Sequence, residues 1–386
     1  MQKIGEIECL HIVCNPVVHD SRVLRETKTI LNSGLVNGLE ICGFHEPGYN
    51  AYETLDERTI RRIILTTRPL PKDLASQSIK YIEWYIRLKN LYRKAELKVI
   101  HCHDLEPLPI AVRLKKLTGA RLVYDAHELA VERINIYGLR RKLAGLLEQR
   151  LISSVDALIS VSPSICDWYQ KRFTGTPVSL VRNIPGYPKM PVSPVPLRNY
   201  YNIPEDRLLF IYLGKLSKGR GIEKALQAFQ NERVAHHIVF MGSGPLKEKV
   251  LQAGSICDRI HYHEPVSPEQ VISHAAGADA GICLVEDICL NYRYCLPNKL
   301  FECLLAGLPV LASNLPDQSR IVNKYQAGWI VQHNPQDIAD FLISITGGKV
   351  RELQKNLPGR VRTLCWENEE AKLIEVYKKL TGRKVD

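Results

Sequence analysis

Apolar residues along the chain fall into two alternating registers. Short apolar runs of strand length at 9–15, 39–44, 61–66, 99–104, 122–128, 157–162 and 178–183 are separated by longer stretches whose apolar positions recur at helical spacing. The same alternation resumes at 208–214, 237–241, 259–264, 278–285, 310–313 and 328–331, with a helix from Pro335 and a last one over 369–380. Such a pattern predicts an α/β chain with mainly parallel sheets. Between the two series, residues 186–196 are rich in proline and show no apolar periodicity, the signature of a linker.

The run at 296–313, Leu-Pro-Asn-Lys-Leu-Phe-Glu-Cys-Leu-Leu-Ala-Gly-Leu-Pro-Val-Leu-Ala-Ser, organises the second half. It predicts a helix with Asn298 as N-cap and Gly307 as its stop, since Pro309 forbids continuation. Leu300, Phe301, Leu304 and Leu305 share one face and should pack on a sheet, whereas Glu302 lies off that face. A helix N-terminus beside an outward carboxylate suits a diphosphate joined to a ribose: amides for the phosphate oxygens, carboxylate for the sugar hydroxyls. Taken alone, Glu302 also reads as an ordinary solvated helix residue.

Other strand ends carry chemistry too. The loop at 16–22 brings Asp20 to the N-cap of a helix expected to bury Val23, Leu24, Thr27, Ile30 and Leu31 and to stop at Gly34. No Gly-x-Gly-x-x-Gly follows that first strand, which argues against a dinucleotide-binding enzyme. Asp104, Asp125, His127 and Glu128 sit at strand ends, where open α/β sheets bind ligands, although each also fits an N-cap or core role. After the strand at 208–214, Gly214, Lys215, Lys218, Gly219, Arg220 and Gly221 make a phosphate-binding turn: glycine permits close approach and the cations neutralise charge. The segment 80–98 sets Trp84, Tyr85, Leu88 and Tyr92 among Arg87, Lys89, Arg93, Lys94 and Lys98. It reads first as a helix covering the sheet and second as one lying on a membrane. A further helix is rich in Arg140, Arg141, Lys142 and Arg150.

Composition narrows the class. The chain has 386 residues, 45% hydrophobic and 24% charged, ordinary for a globular protein with room for two cores. No apolar run reaches the roughly 18 residues needed to span a bilayer. Glu6 and Glu8 sit where a signal peptide would be apolar, so a cytoplasmic location is expected, with peripheral attachment to the inner face of the plasma membrane left open. The eleven cysteines, without any Cys-x-x-Cys, read as small core residues of a reducing compartment. Two His-x-His pairs, His101/His103 and His261/His263, lack an evident partner set for a metal, and there is no Asp-x-Asp to hold a divalent cation on a diphosphate. The net charge of +11 is uneven: through Pro196 there are 28 Lys+Arg against 20 Asp+Glu. In the absence of a nucleic-acid motif, that excess points to an anionic membrane surface or a phosphate-bearing lipid acceptor.

Pro-Asn-Lys-Leu-Phe-Glu followed by Ala-Gly-Leu-Pro-Val resembles the nucleotide-sugar site of family-4 retaining glycosyltransferases of the GT-B fold. The resemblance extends over most of the chain, through Asp-Ser-Arg-Val-Leu-Arg-Glu at 20–26, His-Asp at 103–104, Asp-x-His-Glu at 125–128, the Lys215/Arg220 loop and the strand ends near 242–245 and 264. It thins at 45–97 and 132–155, the acceptor-facing regions. It implies two Rossmann-like domains with parallel sheets facing a central cleft, at 1–190 and 197–365, and a terminal helix at 366–386 crossing back to the first. It assigns donor binding to Gly214, Tyr294, Asn298, Lys299, Leu300, Glu302, Pro265 and Val266, catalysis to His127, Lys215 and Arg220, and the acceptor side to Asp20, Arg22, Asp104 and Glu128. Two departures stand out. The basic pair matching Lys215 and Arg220 is swapped in type, and Tyr294 occupies the place of a second family glutamate.

The resulting expectation is a retaining transferase that moves a sugar from a nucleotide-sugar donor to a glycan or lipid-linked acceptor in surface polysaccharide assembly. UDP-hexose or UDP-N-acetylhexosamine is the favoured donor and GDP-mannose the alternative, and no cofactor or metal is required. Tyr294 keeps open a non-catalytic nucleotide-binding scaffold subunit. A GT-B epimerase or phosphorylase is the enzymatic rival, and a DNA-modifying GT-B enzyme the weakest.

Overall fold

The computed structural model describes residues 6–383 except 19, 72, 135 and 189–191. The chain divides into two compact units: residues to Val181 together with those from Glu370 form the first, and Arg182–Glu369 the second.

Among the described residues, the first unit carries an eight-stranded sheet, built from β1 (Cys9–Ile12), β2 (Leu39–Phe44), β3 (Tyr52–Leu55), β4 (Arg58–Ile63), β5 (Val99–His103), β6 (Arg121–Ala126), β7 (Ala157–Ser160) and β8 (Val178–Leu180). Their order is β3-β4-β2-β1-β5-β6-β7-β8, parallel throughout apart from the antiparallel edge pair β3–β4. Most of these strands are buried on both faces because helices cover both, with polar side chains such as His11, Arg61 and His101 buried among the apolar ones. From β1 the chain moves one way, to β2; from β5 it moves the other way, to β6. The carboxyl ends of β1 and β5 therefore flank the sheet's topological switch point, where such folds place a ligand. Helices α1 (Ser21–Asn32), α2 (Leu74–Tyr92), α3 (Leu108–Thr118) and α4 (Gly138–Ile152) make the connections. Right-handed crossovers put α2, α3 and α4 side by side on one face, and α3 packs on both its neighbours.

The second unit has a parallel six-stranded sheet of order β11-β10-β9-β12-β13-β14, from β9 (Leu209–Leu213), β10 (His237–Met241), β11 (Ile260–His263), β12 (Ala280–Cys283), β13 (Val310–Ser313) and β14 (Gly328–Val331). Two helices matter for function: α5 (Ile222–Gln230), which follows β9, and α6 (Asn298–Leu305), which precedes β13. Leu300, Phe301, Leu304 and Leu305 are all buried against the sheet, as the 296–313 pattern requires. The last helix, α7 (Trp366–Thr381), starts in the second unit and belongs to the first from Glu370 on.

Four expectations need correction. The division falls at Val181/Arg182 rather than in the proline-rich stretch, because Ile184 is buried in the second unit's core and the Pro185 carbonyl accepts from the Trp366 amide. Part of that stretch, 189–191, lies outside the described residues. Asn298 is the first residue of α6 and not its cap; Pro297 holds the cap position and no side chain caps that end. The helix expected over 80–98 spans Leu74–Tyr92, with Trp84, Leu88 and Tyr92 on the sheet. Finally, α1 buries Arg22 and Glu26 where Leu24 and Leu31 were expected, since an acid lies beneath that face. All eleven cysteines are free thiols, most of them buried.

Candidate active site

In the first unit, three strand ends converge on Asp125, the fully buried penultimate residue of β6. The Arg22 guanidinium donates twice to it, from Nε to Oδ2 at 2.9 Å and from Nη2 to Oδ1 at 2.7 Å, and Nη1 donates to the Val181 carbonyl at 3.0 Å. Arg22 also lies 2.9 Å from Glu26, one helical turn on. His127 Nε2 approaches Asp125 Oδ2 at 3.0 Å, and His103 Nδ1 approaches the same oxygen at 3.3 Å. An ionised carboxylate only accepts, so both rings present N–H to it. His103 Nε2 is then bare and accepts from His11 Nδ1 at 2.9 Å. His11 and His103 both stack on His101, whose Nδ1 meets the Tyr377 hydroxyl at 2.8 Å.

The charges balance. Arg22 and His127 hold Asp125 well below the usual carboxylate range in spite of its burial. Burial works against a charged His127, but Asp104 and Asp125 outweigh it and lift the imidazolium to about 10. Burial pushes Glu26 up to about 8 and Asp104 to about 6, and it keeps His11, His101 and His103 neutral. At neutral pH two cations, Arg22 and His127, therefore face two anions, Asp125 and Asp104. Glu26, His101, His103 and Asp125 set one ligand atom each within 4.8 Å of one another, the spacing of a cation site. Arg22 already supplies positive charge there, so the arrangement serves the guanidinium and disfavours a dication.

This geometry relocates the expected acceptor-side residues. Arg22 is 2% exposed and fully engaged inside, so it shapes the site from beneath. Asp20 caps α1 through the Val23 amide and accepts from Asn15 Nδ2 at 2.7 Å. Asp104 takes a left-handed backbone conformation (φ 66°) just past β5, its Oδ1 accepting from the His127 amide at 3.0 Å. Glu128 is paired with Arg133 at 2.8 Å. His127 and Asp104 keep roughly a quarter of their side chains exposed, so this is where the network reaches the surface. Beside it, at the carboxyl ends of β1, β2, β4 and β5, a cavity of about 470 Å³ is lined mainly by apolar groups, among them Phe44, Leu65, Tyr81 and Ile82, with Glu106 at its border.

In the second unit the turn from β9 to α5 runs Gly214 to Gly221. Gly221 adopts φ 78°, and a Cβ there would lie 1.8 Å from the Leu284 carbonyl oxygen, so the close approach of this turn to β12 requires glycine. Lys215 is exposed, and its carbonyl accepts from the Tyr212 hydroxyl at 2.9 Å. The same Tyr212 ring lies under Lys299, whose Nζ sits 3.3 Å from the ring centroid. Lys299 is 5% exposed, and its amine has no hydrogen-bond partner. Burial, aided by the nearby Arg220 guanidinium, lowers it to about 7. Arg220 stands over the Tyr292 ring at 5.8 Å, its Nε likewise unpartnered. Lys299 lies in the first turn of α6 with Asn298 and Leu300, close enough to Arg220 to feel its charge, and half-buried Glu302 follows one turn on. Tyr294 is half-buried at the end of the preceding short helix, and Pro265 and Val266 lie just past β11. A buried amine, a guanidinium and a helix N-terminus together form an anion site. Sequence reasoning missed His11, Glu26, Tyr212 and Tyr377. The available signal was polar residues inside apolar patterns, such as His11 within β1 and an Arg/Glu pair four apart on the inner face of α1.

Two parallel-sheet units, one with an anion site beyond β9 and the other with a charged histidine beyond β6, define a GT-B glycosyltransferase. The chain belongs to the family-4 glycosyltransferases: the model described as "Glycosyltransferase Family 4" matches residues 40–184, and the one described as "Glycosyl transferases group 1" matches 207–347. A teichuronic acid biosynthesis glycosyltransferase assigned as TuaC in Bacillus subtilis strain 168 is 22% identical over 302 residues, 76% of this chain and 74% of that one. Among solved structures, a sucrose-phosphate synthase from Thermosynechococcus elongatus superposes with TM-score 0.79 at 18% identity, covering 97% of this chain and 99% of the other. Anabaena HepE in complex with UDP-glucose does so with TM-score 0.73 at 11% identity, covering 97% and 100%. At these identities the structural likeness is one of fold. Among the described residues, no helix is long and apolar enough to cross a membrane.

Proposed function

We propose that this glycosyltransferase moves a hexosyl or N-acetylhexosaminyl group from a UDP-sugar, with GDP-mannose as the alternative donor, to a glycan or lipid-linked acceptor in surface polysaccharide assembly. The reading rests on one observation above all: the buried, unpartnered Lys299 amine beside Arg220 at the N-terminus of α6. An apolar interior leaves such a group without a partner only at a cost, and a diphosphate supplies the missing acceptors. The teichuronic acid relative supports the polysaccharide setting, and the UDP-glucose complex of HepE supports the donor class.

In this mechanism the diphosphate leaves with its electron pair as the anomeric carbon becomes oxocarbenium-like. Lys215, Arg220, Lys299 and the α6 amides stabilise the growing negative charge. The acceptor hydroxyl attacks from the face the diphosphate leaves and passes its proton to a departing phosphate oxygen, giving retention without a protein nucleophile. Glu302 accepts from the ribose hydroxyls, and Tyr294 offers the sugar a hydroxyl and a ring in place of a charge. His127 is an imidazolium at neutral pH, so it acts as a donor to a sugar or acceptor hydroxyl and not as the base. Asp125, with Arg22 behind it, orients that ring.

The direct test is transfer from UDP-glucose, UDP-N-acetylglucosamine and GDP-mannose to lipid-linked and soluble acceptors in the presence of EDTA. Because side chains supply the cationic charge, transfer should persist with the chelator. Loss of turnover restored by Mn²⁺ or Mg²⁺ would overturn metal independence, and nucleotide binding without transfer to any acceptor would favour the scaffold reading. Replacing His127 by alanine should lower kcat about 100-fold, the usual effect of removing one aimed donor. Nucleotide affinity should not change, since the anion site lies in the other unit. A parallel loss of nucleotide binding would mean that His127 is structural.

A further inference from the structure

Helix α4 is mounted the wrong way round for a globular protein. Its anchored side is polar: buried Glu148 accepts from the hydroxyls of Tyr124 at 3.0 Å and Tyr169 at 2.9 Å, beside buried Ile152. Its outward side is apolar, with Leu139 at 70%, Leu143 at 57%, Leu146 at 63% and Leu147 at 46% exposure. These positions follow the i, i+4, i+7, i+8 spacing of a continuous stripe. Exposed Arg140 and Lys142 flank that stripe on either side, and Arg150 lies at its far end. A helix normally turns its leucines inward; here the bonds to Glu148 fix the opposite orientation.

We infer that α4 docks on an anionic lipid bilayer, leucines among the acyl chains and Arg140, Lys142 and Arg150 at the phosphates. An apolar stripe bordered by cations suits a lipid interface, where hydrocarbon lies directly beneath negative headgroups, and lipid carries both parts of that chemistry together. The neighbouring layer extends the surface: α2 exposes Ile79, Ile82 and Ile86 on the side it does not give to the sheet. The excess of basic residues through Pro196 favours the same partner. This docking rests on the reading of a lipid-linked acceptor for its purpose, but its test does not depend on activity.

The full chain is sedimented with vesicles of pure phosphatidylcholine and with vesicles containing phosphatidylglycerol, at low and high salt. Wild type should bind the anionic vesicles and release as salt rises. The variant L139S/L143S/L146S/L147S should bind them at least tenfold more weakly, with an unchanged circular dichroism spectrum and unchanged transfer to a short soluble acceptor. The variant R140Q/K142Q/R150Q should lose the preference for anionic lipid while keeping its fold. Binding of the serine variant as tight as wild type overturns the proposal. So does a wild-type dimer that the serine substitutions convert to monomer without any vesicle binding, which would make the stripe a self-association face. If no acceptor is ever glycosylated but the serine variant still loses the vesicles, the transferase reading fails and the docking surface stands.

Discussion

Arg22→Met should be the most destabilising single substitution in the first unit. It leaves Asp125 ionised and buried without its bidentate partner, a change that costs about 3–5 kcal/mol. For a unit of this size that lowers the thermal midpoint by about 10 °C or more. Arg22→Met/Asp125→Leu should recover much of the loss, since removing both partners spares the buried charge. In calorimetry the loss should fall on the first unit's transition, and the second unit's should not move. An unchanged first transition in Arg22→Met would show that the pair carries no stability.

The same network sets the sign of the pH response. His127 is raised to about 10, so its contribution is complete below its unfolded value near 6.5 and is lost as pH climbs through 10. Glu26, raised to about 8, holds its proton longer in the folded state and also loses stability as pH rises through 8. Asp125 acts oppositely, but only in acid, because its depressed value places its window below the unfolded value near 3.9. The first unit should therefore lose stability steadily from pH 6.5 to 10, and His127→Gln should flatten that slope.

The elements most legible in the sequence were those whose burial is apolar. Strands β2, β10, β13 and β14 and the buried face of α6 follow from apolar residues at the right period, because the same side chains that make the pattern make the core. What escaped was polar burial. Arg22 was expected on the acceptor side and Glu26 had no expected role, yet both turn inward because Asp125, distant in sequence, lies beneath them. His11 sits in an apolar strand where pattern alone assigns it no partner, and its partners His101 and His103 come from β5. The reversed mounting of α4 was equally hidden, since a helical period shows a stripe but not which way it faces; Tyr124 and Tyr169 decide that through Glu148. The positions of the candidate residues at strand ends were legible because topology places them, whereas their charge states required the neighbours.

In the second unit, Lys299→Met should raise thermal stability and lower donor affinity together. The amine is buried over the Tyr212 ring but without a hydrogen-bond partner, and burial of an unsatisfied polar group costs about 1–3 kcal/mol, so an apolar side chain of similar length should stabilise the unit by up to about that amount, less the cation–π contact it gives up. A lysine lowered to about 7 binds fewer protons folded than unfolded between pH 7 and 10.5, so wild-type stability in this unit should rise with pH over that window. The variant should not show that rise. Donor binding responds in the other direction. A diphosphate favours the ammonium form, so binding above pH 7 takes up a proton, and affinity should fall by up to about tenfold per pH unit as pH rises. Removing one charge-assisted contact of about 1.5–3 kcal/mol should weaken nucleoside diphosphate binding about 10- to 100-fold at pH 7, with little change for the bare nucleoside. Calorimetry at pH 7.5–9 in buffers of different ionisation enthalpy reads the proton directly: uptake with wild type, none with Lys299→Met. A variant that gains stability yet binds diphosphate as tightly as wild type would remove Lys299 from the donor site and leave the anion to Arg220, Lys215 and the α6 amides.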